Sequence, residues 1–255
     1  MEYAIEIADL SFAYPDGQQA LSNISLAIPV GQSVAVIGPN GAGKSTLLLH
    51  FNGILRGNGL VRVLGVGVEG KNLKWLRSRV GLVFQDPDDQ LFSPTVFDDV
   101  AFGPINMSST EEEVRQRVAG ALAAVGLVGY EQRSPHHLSI GEKKRVAMAT
   151  VLSMSPEILV IDEPSSNLDP RAKWSLVELL KGLPMTKVIC SHDLEIVPAL
   201  CQRIIILDGG RIVADGPTWH LLSNVELLRE HGLAPDRAPG LGQEPLPSAS
   251  ARPPR

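Results

Sequence analysis

The chain has 255 residues, of which 44% are hydrophobic and 20% are charged, and its net charge is −5. A chain of this length and apolar content can bury a full core, so we predict one compact domain with a subdomain rather than two independent domains. The acidic balance lacks the clustered basic footprint of nucleic-acid-binding proteins, and the apolar fraction excludes a disordered chain.

The cysteines and the N-terminal residues indicate the cellular compartment. Cys190 and Cys201 lie in apolar stretches without C-x-x-C spacing, which predicts buried, reduced thiols. The first ten residues, MEYAIEIADL, contain acids and alternate like a strand, so we predict no signal peptide. No apolar run approaches the ~18 residues of a membrane-spanning helix. We therefore expect a cytosolic protein that reaches a membrane only through a partner.

The chain reads as strands and turns over its first ~35 residues and then as alternating strands and helices. The β-branched run 34–38 enters a glycine-rich turn that opens into a helical pattern at 46–49, which is half of a βαβ unit. Apolar strands follow at 80–84, 157–161, 187–190 and 203–207. Because these runs are apolar on both faces, we predict an α/β fold with a mostly parallel sheet between helices, preceded by an antiparallel β part.

Two further regions differ from this pattern. Helical spacing dominates at 111–125 and again at 142–154, so residues 86–155 are predicted to form an α-helical subdomain. The segment 233–255 is rich in Pro, Ala, Ser and Gly, which predicts a disordered tail after a domain of residues 1–232.

A phosphate-binding loop follows the first apolar strand. Its residues match G-x-x-x-x-G-K-[ST]: Gly38, Pro39, Asn40, Gly41, Ala42, Gly43, Lys44, Ser45 and Thr46. The glycines let backbone N–H groups turn toward phosphate oxygens, Lys44 reaches the β and γ phosphates, and Ser45 offers a hydroxyl to Mg²⁺. The loop alone predicts a P-loop NTPase, a class that includes kinases, GTPases and helicases.

Two acids end the apolar strand at 157–161. Asp162 lies at the carboxyl end of this strand, where ligands bind in open α/β sheets, and we predict that it holds Mg²⁺ directly or through water. Glu163 points differently and is predicted to act as the general base that orients the attacking water.

Two other strand ends carry polar side chains. Gln85 follows the strand at 80–84 and is predicted to help ligate Mg²⁺ and to sense nucleotide. His192 follows the strand at 187–190 and is predicted to hydrogen-bond the γ phosphate or to hold the water.

The segment 138–142, LSIGE, predicts a second anion site. Ser139 can cap the helix that starts here, with Glu142 three residues later completing a capping box. The Ser139 and Gly141 donors would then stand at the positive end of a helix dipole.

The order of these motifs, with 166–169 (SNLD) between them, resembles the ATPase subunit of ABC transporters over residues ~1 to ~220. The resemblance implies a RecA-like P-loop fold that binds ATP and Mg²⁺ in a head-to-tail dimer. One subunit's phosphate-binding loop and the other's Ser139 and Gly141 would enclose each ATP, with Asp169 in the loop linking the two sites. Tyr14 matches the aromatic residue that stacks on adenine. Ile140 departs from the family pattern, because it replaces the first glycine of an LSGGQ-like segment, and this puts the rate of turnover in doubt.

The stretch 85–96, together with 96–104 and 135–138, resembles energy-coupling-factor transporters, with the cobalt/nickel branch as the closest match. In that group this region receives coupling helices of a transmembrane protein, which works with a substrate-specific membrane subunit. We predict that basic residues of the partner bind three acids and that two apolar residues act as anchors: Asp86, Asp88, Asp89, Leu91 and Phe92. The subunit would then lie at the cytoplasmic face of the cell membrane.

Several alternatives remain open on the sequence. Vitamin importers of the same group are the near rival, and the resemblance leaves open whether the dimer has one kind of chain or two. A soluble ABC ATPase acting on DNA or ribosomes would usually have tandem motifs, a coiled-coil insertion and a basic surface, which this sequence lacks. A P-loop kinase or GTPase would not need the segment 138–142.

Overall fold

The computed structural model describes residues 2–234 of the chain. The strands in this part of the chain are, in order, β1 Tyr3–Ala13, β2 Gln19–Pro29, β3 Ser33–Ile37, β4 Asn58–Val63, β5 Val66–Gly67, β6 Val80–Val83, β7 Ile158–Asp162, β8 Thr186–Cys190, β9 Arg203–Asp208 and β10 Arg211–Pro217.

The α-helices lie mainly between these strands. They are α1 Lys44–Phe51, α2 Leu73–Arg79, α3 Val96–Asn106, α4 Glu111–Ala124, α5 Ile140–Leu152, α6 Pro170–Gly182, α7 Val197–Leu200, α8 Thr218–Ser223 and α9 Val225–Glu230. Single 3₁₀ turns lie at Gly70–Asn72, Pro87–Asp89 and Pro135–His137.

The larger sheet has the strand order β10-β9-β3-β8-β7-β6. Five of these strands run parallel, and β10 pairs antiparallel with β9 at one edge. Along β3, Val34 and Val36 belong to one apolar cluster, whereas Ala35 and Ile37 belong to the other. Side chains alternate across a strand, so this strand is buried on both faces, as its continuous apolar run predicts. The predicted parallel sheet is confirmed.

The N-terminal strands form a second sheet of order β2-β1-β4-β5, in which every pair is antiparallel. Its buried face packs in the same cluster as Phe51 and Leu47 of α1 and as Val34 of β3. The predicted antiparallel part is therefore confirmed, and it covers the side of the parallel sheet that carries the first helix.

Helices α3, α4 and α5 pack against one another within the predicted range 86–155. The capping box of α5 is present, because Ser139 accepts a hydrogen bond from the Glu142 backbone and the Glu142 side chain accepts from the Ser139 backbone. This pair fixes the start of α5 at Ile140, and Leu152 ends it two residues before the predicted end.

The last described residues follow α9. Leu233 donates its backbone N–H to Leu228 O at 2.7 Å, and Leu233 and Ala234 are partly buried against the core. The rest of the predicted tail, 235–255, lies outside the described residues.

Candidate nucleotide-binding site

One pocket lies at the carboxyl ends of the parallel strands β3, β6, β7 and β8. It is lined by Tyr14, Gln18, Gln19, Ala20, Asn40, Gly41, Ala42, Gly43, Lys44, Ser45, Thr46, Gln85, Asp162, Glu163 and His192. The structure thus gathers side chains that are up to 178 residues apart (14 to 192) around the phosphate-binding loop. This is the edge at which open α/β sheets bind ligands.

Two glycines of the loop are required by close backbone approaches. A Cβ on Gly38 would lie 2.0 Å from the Leu207 carbonyl oxygen, and a Cβ on Gly43 would lie 2.5 Å from the Ala20 carbonyl oxygen. Gly43 also has a φ of 98° and stands at the N-cap of α1 without a side-chain cap. The first N–H groups of α1 are therefore left for an external acceptor such as a phosphate.

Lys44 lies folded over the loop. Its Nζ donates to the carbonyl oxygens of Gly38 at 2.8 Å and Pro39 at 3.0 Å, and the side chain is buried. These bonds hold the ammonium at the loop, where it is ready to exchange carbonyl partners for phosphate oxygens.

Asp162 ends β7 with one acceptor unused. Its Oδ1 atom is buried and has no hydrogen-bond partner among the described residues. Burial, followed by the nearby Asp162 carboxylate, raises the pKa of the Cys190 thiol well above its usual value, so the thiol stays neutral. A buried carboxylate oxygen without a partner is a fit for a cation.

Glu163 has a left-handed backbone, with φ at 46°, and its backbone N–H donates to Cys190 O at 2.9 Å. Its Oε2 lies 2.8 Å from His192 Nδ1 and accepts the His192 backbone N–H at 3.3 Å. The carboxylate is buried, while the imidazole is mostly exposed. The structure therefore places His192 beside Glu163 through Nδ1, while most of the imidazole ring stays exposed at the pocket.

Tyr14 and Gln85 lie at two edges of the pocket. The Tyr14 hydroxyl is 2.9 Å from Thr46 Oγ1, and its ring packs edge-to-face on Phe12 at 5.1 Å. Gln85 follows β6 and exposes its side chain beside the loop. Both positions allow the roles that the sequence predicts, stacking on a base and reaching a metal ion.

Ser139 and Gly141 are absent from the pocket lining and stand at the exposed start of α5. A Cβ on Gly141 would meet Ala172 at 3.6 Å and Leu168 at 3.8 Å, which is ordinary contact. Glycine is therefore not forced at 141 by packing within this chain.

The predicted docking surface is partly wrong. Leu91, two residues after the 3₁₀ turn Pro87–Asp89, is only 3% exposed and packs in the core, so it cannot anchor a partner. Phe92 is 66% exposed and meets Phe102 edge-to-face at 5.3 Å. Phe102 and Ile105 of α3, which the sequence did not single out, are also exposed, and their i, i+3 spacing puts them on one face.

The three acids of that surface are exposed, and two are held in place. Asp86 accepts the Asp88 backbone N–H at 2.9 Å, and Asp88 pairs with Lys143 of α5 at 2.7 Å. Buried Asp99 accepts the backbone N–H groups of Phe92 and Ser93 at 3.1 and 3.0 Å. The Asp99 carboxylate therefore fixes the loop that presents Phe92.

The described residues offer neither a clustered metal site nor a membrane-spanning helix. Residues 2–234 hold no group of three or more His, Cys, Asp or Glu side chains that could bind a metal ion. Every helix within the same residues is too short or too polar to span a lipid bilayer.

Comparison with known proteins assigns the family. The model of the ABC transporter family matches residues 21–166, from β2 to the turn after Glu163. This chain belongs to the ABC transporter family. It is an ATPase, the ATP-binding subunit of a transporter of the energy-coupling-factor type, as the motif order and the stretches 85–104 and 135–138 predict.

The relatives of this ABC ATPase include the energy-coupling factor transporter ATP-binding protein EcfA of Methanothermobacter thermautotrophicus. It is 49% identical over 90% of this chain and 76% of its own length. The structure of cbiO1 from Clostridium perfringens, part of the ABC transporter complex cbiONQ, is 39% identical with a TM-score of 0.80. That match covers 91% of this chain and 96% of cbiO1.

A second similar structure is a dimeric ATP-binding cassette in a post-hydrolysis state bound to ADP and Pi. It is 28% identical with a TM-score of 0.76, covering 84% of this chain and 98% of that one. These matches confirm the predicted fold class, a P-loop sheet with an antiparallel β part and helices.

Proposed function

We propose that this ATPase works as a dimer that hydrolyses Mg·ATP to drive a membrane importer, with cobalt or nickel ions as the cargo. The observation that carries the proposal is a division between two anion-binding features. The pocket gathers Lys44, Asp162 and Glu163 within one chain, whereas Ser139 and Gly141 lie outside it on an exposed helix start. A second chain is needed to bring them to a nucleotide.

The proposed Mg²⁺ ligands are Ser45, Asp162 and Gln85. The unpartnered Oδ1 of Asp162 supports this assignment, and so does the place of Ser45 in the first turn of α1. Mg²⁺ in such sites is usually bound through one or two carboxylates together with substrate phosphates and water, which agrees with a site where Asp162 is the one proposed carboxylate ligand. When bound, the ion neutralises charge on the phosphate oxygens.

Glu163 is the proposed general base. Its carboxylate is buried at the pocket wall, and His192 holds one of its oxygens, so the other can accept a proton from water. His192 and Gln85 complete the catalytic set as residues that hold the carboxylate and reach the metal. Backbone N–H groups of the loop and Lys44 bind the phosphates, and Tyr14 stacks on adenine.

In the proposed dimer, Ser139 and Gly141 of one subunit contact the nucleotide held by the other. The similarity to a dimeric cassette bound to ADP and Pi supports this arrangement. A positively directed helix start with exposed donors suits a γ phosphate. We favour a homodimer because one chain carries both halves of the site, although a related chain could supply either half.

The proposed membrane partner docks on the surface formed by Asp86, Asp88, Asp89 and Phe92, extended here by Phe102 and Ile105. Exposed aromatic residues ringed by charges are typical of interfaces, and the acids select basic residues on a partner. The similarity to cbiO1, which is part of a larger complex, supports such assembly. The subunit would be held at the cytoplasmic face of the cell membrane with a coupling protein and a substrate-specific subunit.

The cargo is the most specific part of the proposal, and it rests on the sequence resemblance to the cobalt/nickel branch. Co-purification with membrane subunits, followed by reconstitution in vesicles, tests it directly. We expect Mg·ATP-dependent uptake of labelled Co²⁺ or Ni²⁺. Uptake of a vitamin instead would establish the rival cargo, and the lack of any transmembrane partner would favour a soluble ATPase.

A further inference from the structure

A buried lysine of α5 holds three segments of the catalytic region. The Lys144 side chain is 5% exposed. Its Nζ donates to Gln85 O at 3.1 Å, to Glu163 O at 3.0 Å and to Ser166 Oγ at 3.0 Å. An ammonium has three donors, so these bonds use its full capacity.

The three acceptors lie at different places in the chain. Gln85 follows β6, Glu163 follows β7, and Ser166 lies in the turn that leads to α6 and donates to Glu163 O at 2.9 Å. The lysine therefore connects Gln85, a proposed Mg²⁺ ligand, and Glu163, the proposed general base, through their backbone carbonyls and not through their side chains.

All three bonds end on neutral oxygens rather than on carboxylates. Burying an ammonium in this way is costly, because carbonyl and hydroxyl dipoles replace its water. Burial lowers the pKa of Lys144, against the attraction of the carboxylates that face it, Glu163, Asp86 and Asp162. A leucine or methionine would fill this volume without that cost, so packing alone does not explain the charge.

The position of Lys144 on α5 links these bonds to the other half of the site. Lys144 lies five residues after Ser139, about 7.5 Å along the helix axis. The same helix start is proposed to contact the nucleotide of the second subunit. The Glu163 peptide that Lys144 holds has a left-handed backbone, which persists only where its surroundings fix it.

We propose that Lys144 is a positioning residue for hydrolysis, which ties the ends of β6 and β7 to the start of α5. The position of the general base then depends on the position of α5. The contact between the start of α5 and the nucleotide of the neighbouring subunit sets that position. This inference rests on the proposed general-base role of Glu163 and on the proposed dimer.

The test compares two buried lysines. Lys144→Met removes the donors and the charge but keeps the volume. Lys187→Met is the matched control, because Lys187 of β8 is 6% exposed and its Nζ donates to Leu183 O, away from the pocket. We expect Lys144→Met to lower kcat about 10- to 100-fold with KM for ATP within about threefold, as for a misplaced catalytic group. Lys187→Met should keep kcat within about twofold.

Two further variants separate positioning from simple stability. Lys144→Arg retains charge and donors and should recover part of the lost kcat. Ser166→Ala removes one acceptor and should lower kcat about two- to fivefold at unchanged KM. Thermal unfolding of each variant shows whether it is folded, and if Lys144→Met is not, the Ser166→Ala result decides.

The inference is overturned if Lys144→Met loses no more kcat than Lys187→Met, or if its loss lies wholly in KM. Wild-type kcat in a folded Ser166→Ala, where Lys144→Met does not fold, also overturns it. Failure of the proposed function gives a different result, because Glu163→Gln would then turn over like the wild type. Loss of turnover in Glu163→Gln with normal kcat in Lys144→Met would remove only the role of Lys144.

Discussion

The starts of α1 and α5 are the two proposed anion-binding regions, and they differ in the residues that surround them. The loop before α1 lies in a pocket with Asp162, Glu163 and His192, and Lys44 is folded over its carbonyls. The start of α5 lies on the surface, where the Ser139 side chain forms a capping box with Glu142. The pocket gathers the first region's side chains within one chain, whereas Ser139 and Gly141 are not among its lining residues. This difference motivates the proposal that two chains share the working site.

The largest effect is expected in the pocket beside the phosphate-binding loop, at Glu163. Glu163→Gln removes the proposed base while keeping shape and one hydrogen-bond acceptor for His192. We expect kcat to fall by about 10²- to 10⁴-fold, the usual contribution of a general base, with ATP affinity retained. Steady-state hydrolysis and equilibrium ATP binding measure the two quantities. Turnover close to the wild type would remove Glu163 from the base role.

A second experiment divides the two regions between chains. Lys44→Ala and Ser139→Arg should each abolish most turnover in a homodimer, since every site then lacks one half. An equal mixture of the two variants forms mixed dimers in which one site has both intact halves, so about a quarter of wild-type turnover should return, given two-fold symmetry. Subunit exchange followed by an ATPase assay measures it. If the mixture turns over ATP no faster than either variant alone, the result contradicts an active site that is built from two chains and works independently of its partner site.

The third prediction concerns the surface that neither anion region uses. Phe92→Ser with Asp88→Lys and Asp89→Lys removes the exposed ring and reverses two charges. We expect retention of the membrane subunits in co-purification to fall about tenfold, because truncation of a central aromatic anchor commonly costs more than 1 kcal/mol. Glu178→Lys, a charge reversal at an exposed residue of α6, is the control. Equal retention of both variants would reject this docking surface.

The smallest expected effects are at Tyr14, at the outer edge of the pocket. Tyr14→Phe loses the contact with Thr46 Oγ1 but keeps the ring, and we expect ATP affinity to change less than about fivefold. Tyr14→Ala also loses the stacking surface, which is worth about 1–3 kcal/mol per base, so the Kd should rise about 5- to 150-fold. Calorimetry with ATP and GTP checks both variants. Similar Kd values for the two variants would contradict stacking.

Much of the fold could be predicted because its signals are local. The run at 34–38, the glycines at 38 and 43, and the Ser139–Glu142 capping box each lie within a few residues of one another. Five buried runs identified the parallel sheet without any knowledge of strand order. The order itself, β10-β9-β3-β8-β7-β6, depends on pairings between distant segments that no local pattern contains.

The site shows the same limit. Leu91 and Phe92 are adjacent and both apolar, so their order does not show which one is buried. The structure packs Leu91 into the core, whereas Asp99 accepts the backbone N–H of exposed Phe92. Lys144 was missed because its acceptors are 59, 19 and 22 residues away, and a lysine in a helical pattern reads as a solvated residue. Long-range contacts to backbone carbonyls leave no trace in residue spacing.

The structure of a trapped ATP complex tests most directly whether two chains share the site. Glu163→Gln with Mg·ATP should accumulate as a closed dimer, and its structure gives the distance from Ser139 Oγ of one chain to the γ phosphate held by Lys44 of the other. We expect hydrogen-bond contact, about 3 Å. A nucleotide-loaded structure in which Ser139 stands far from any neighbour's phosphate would contradict a site built from two chains.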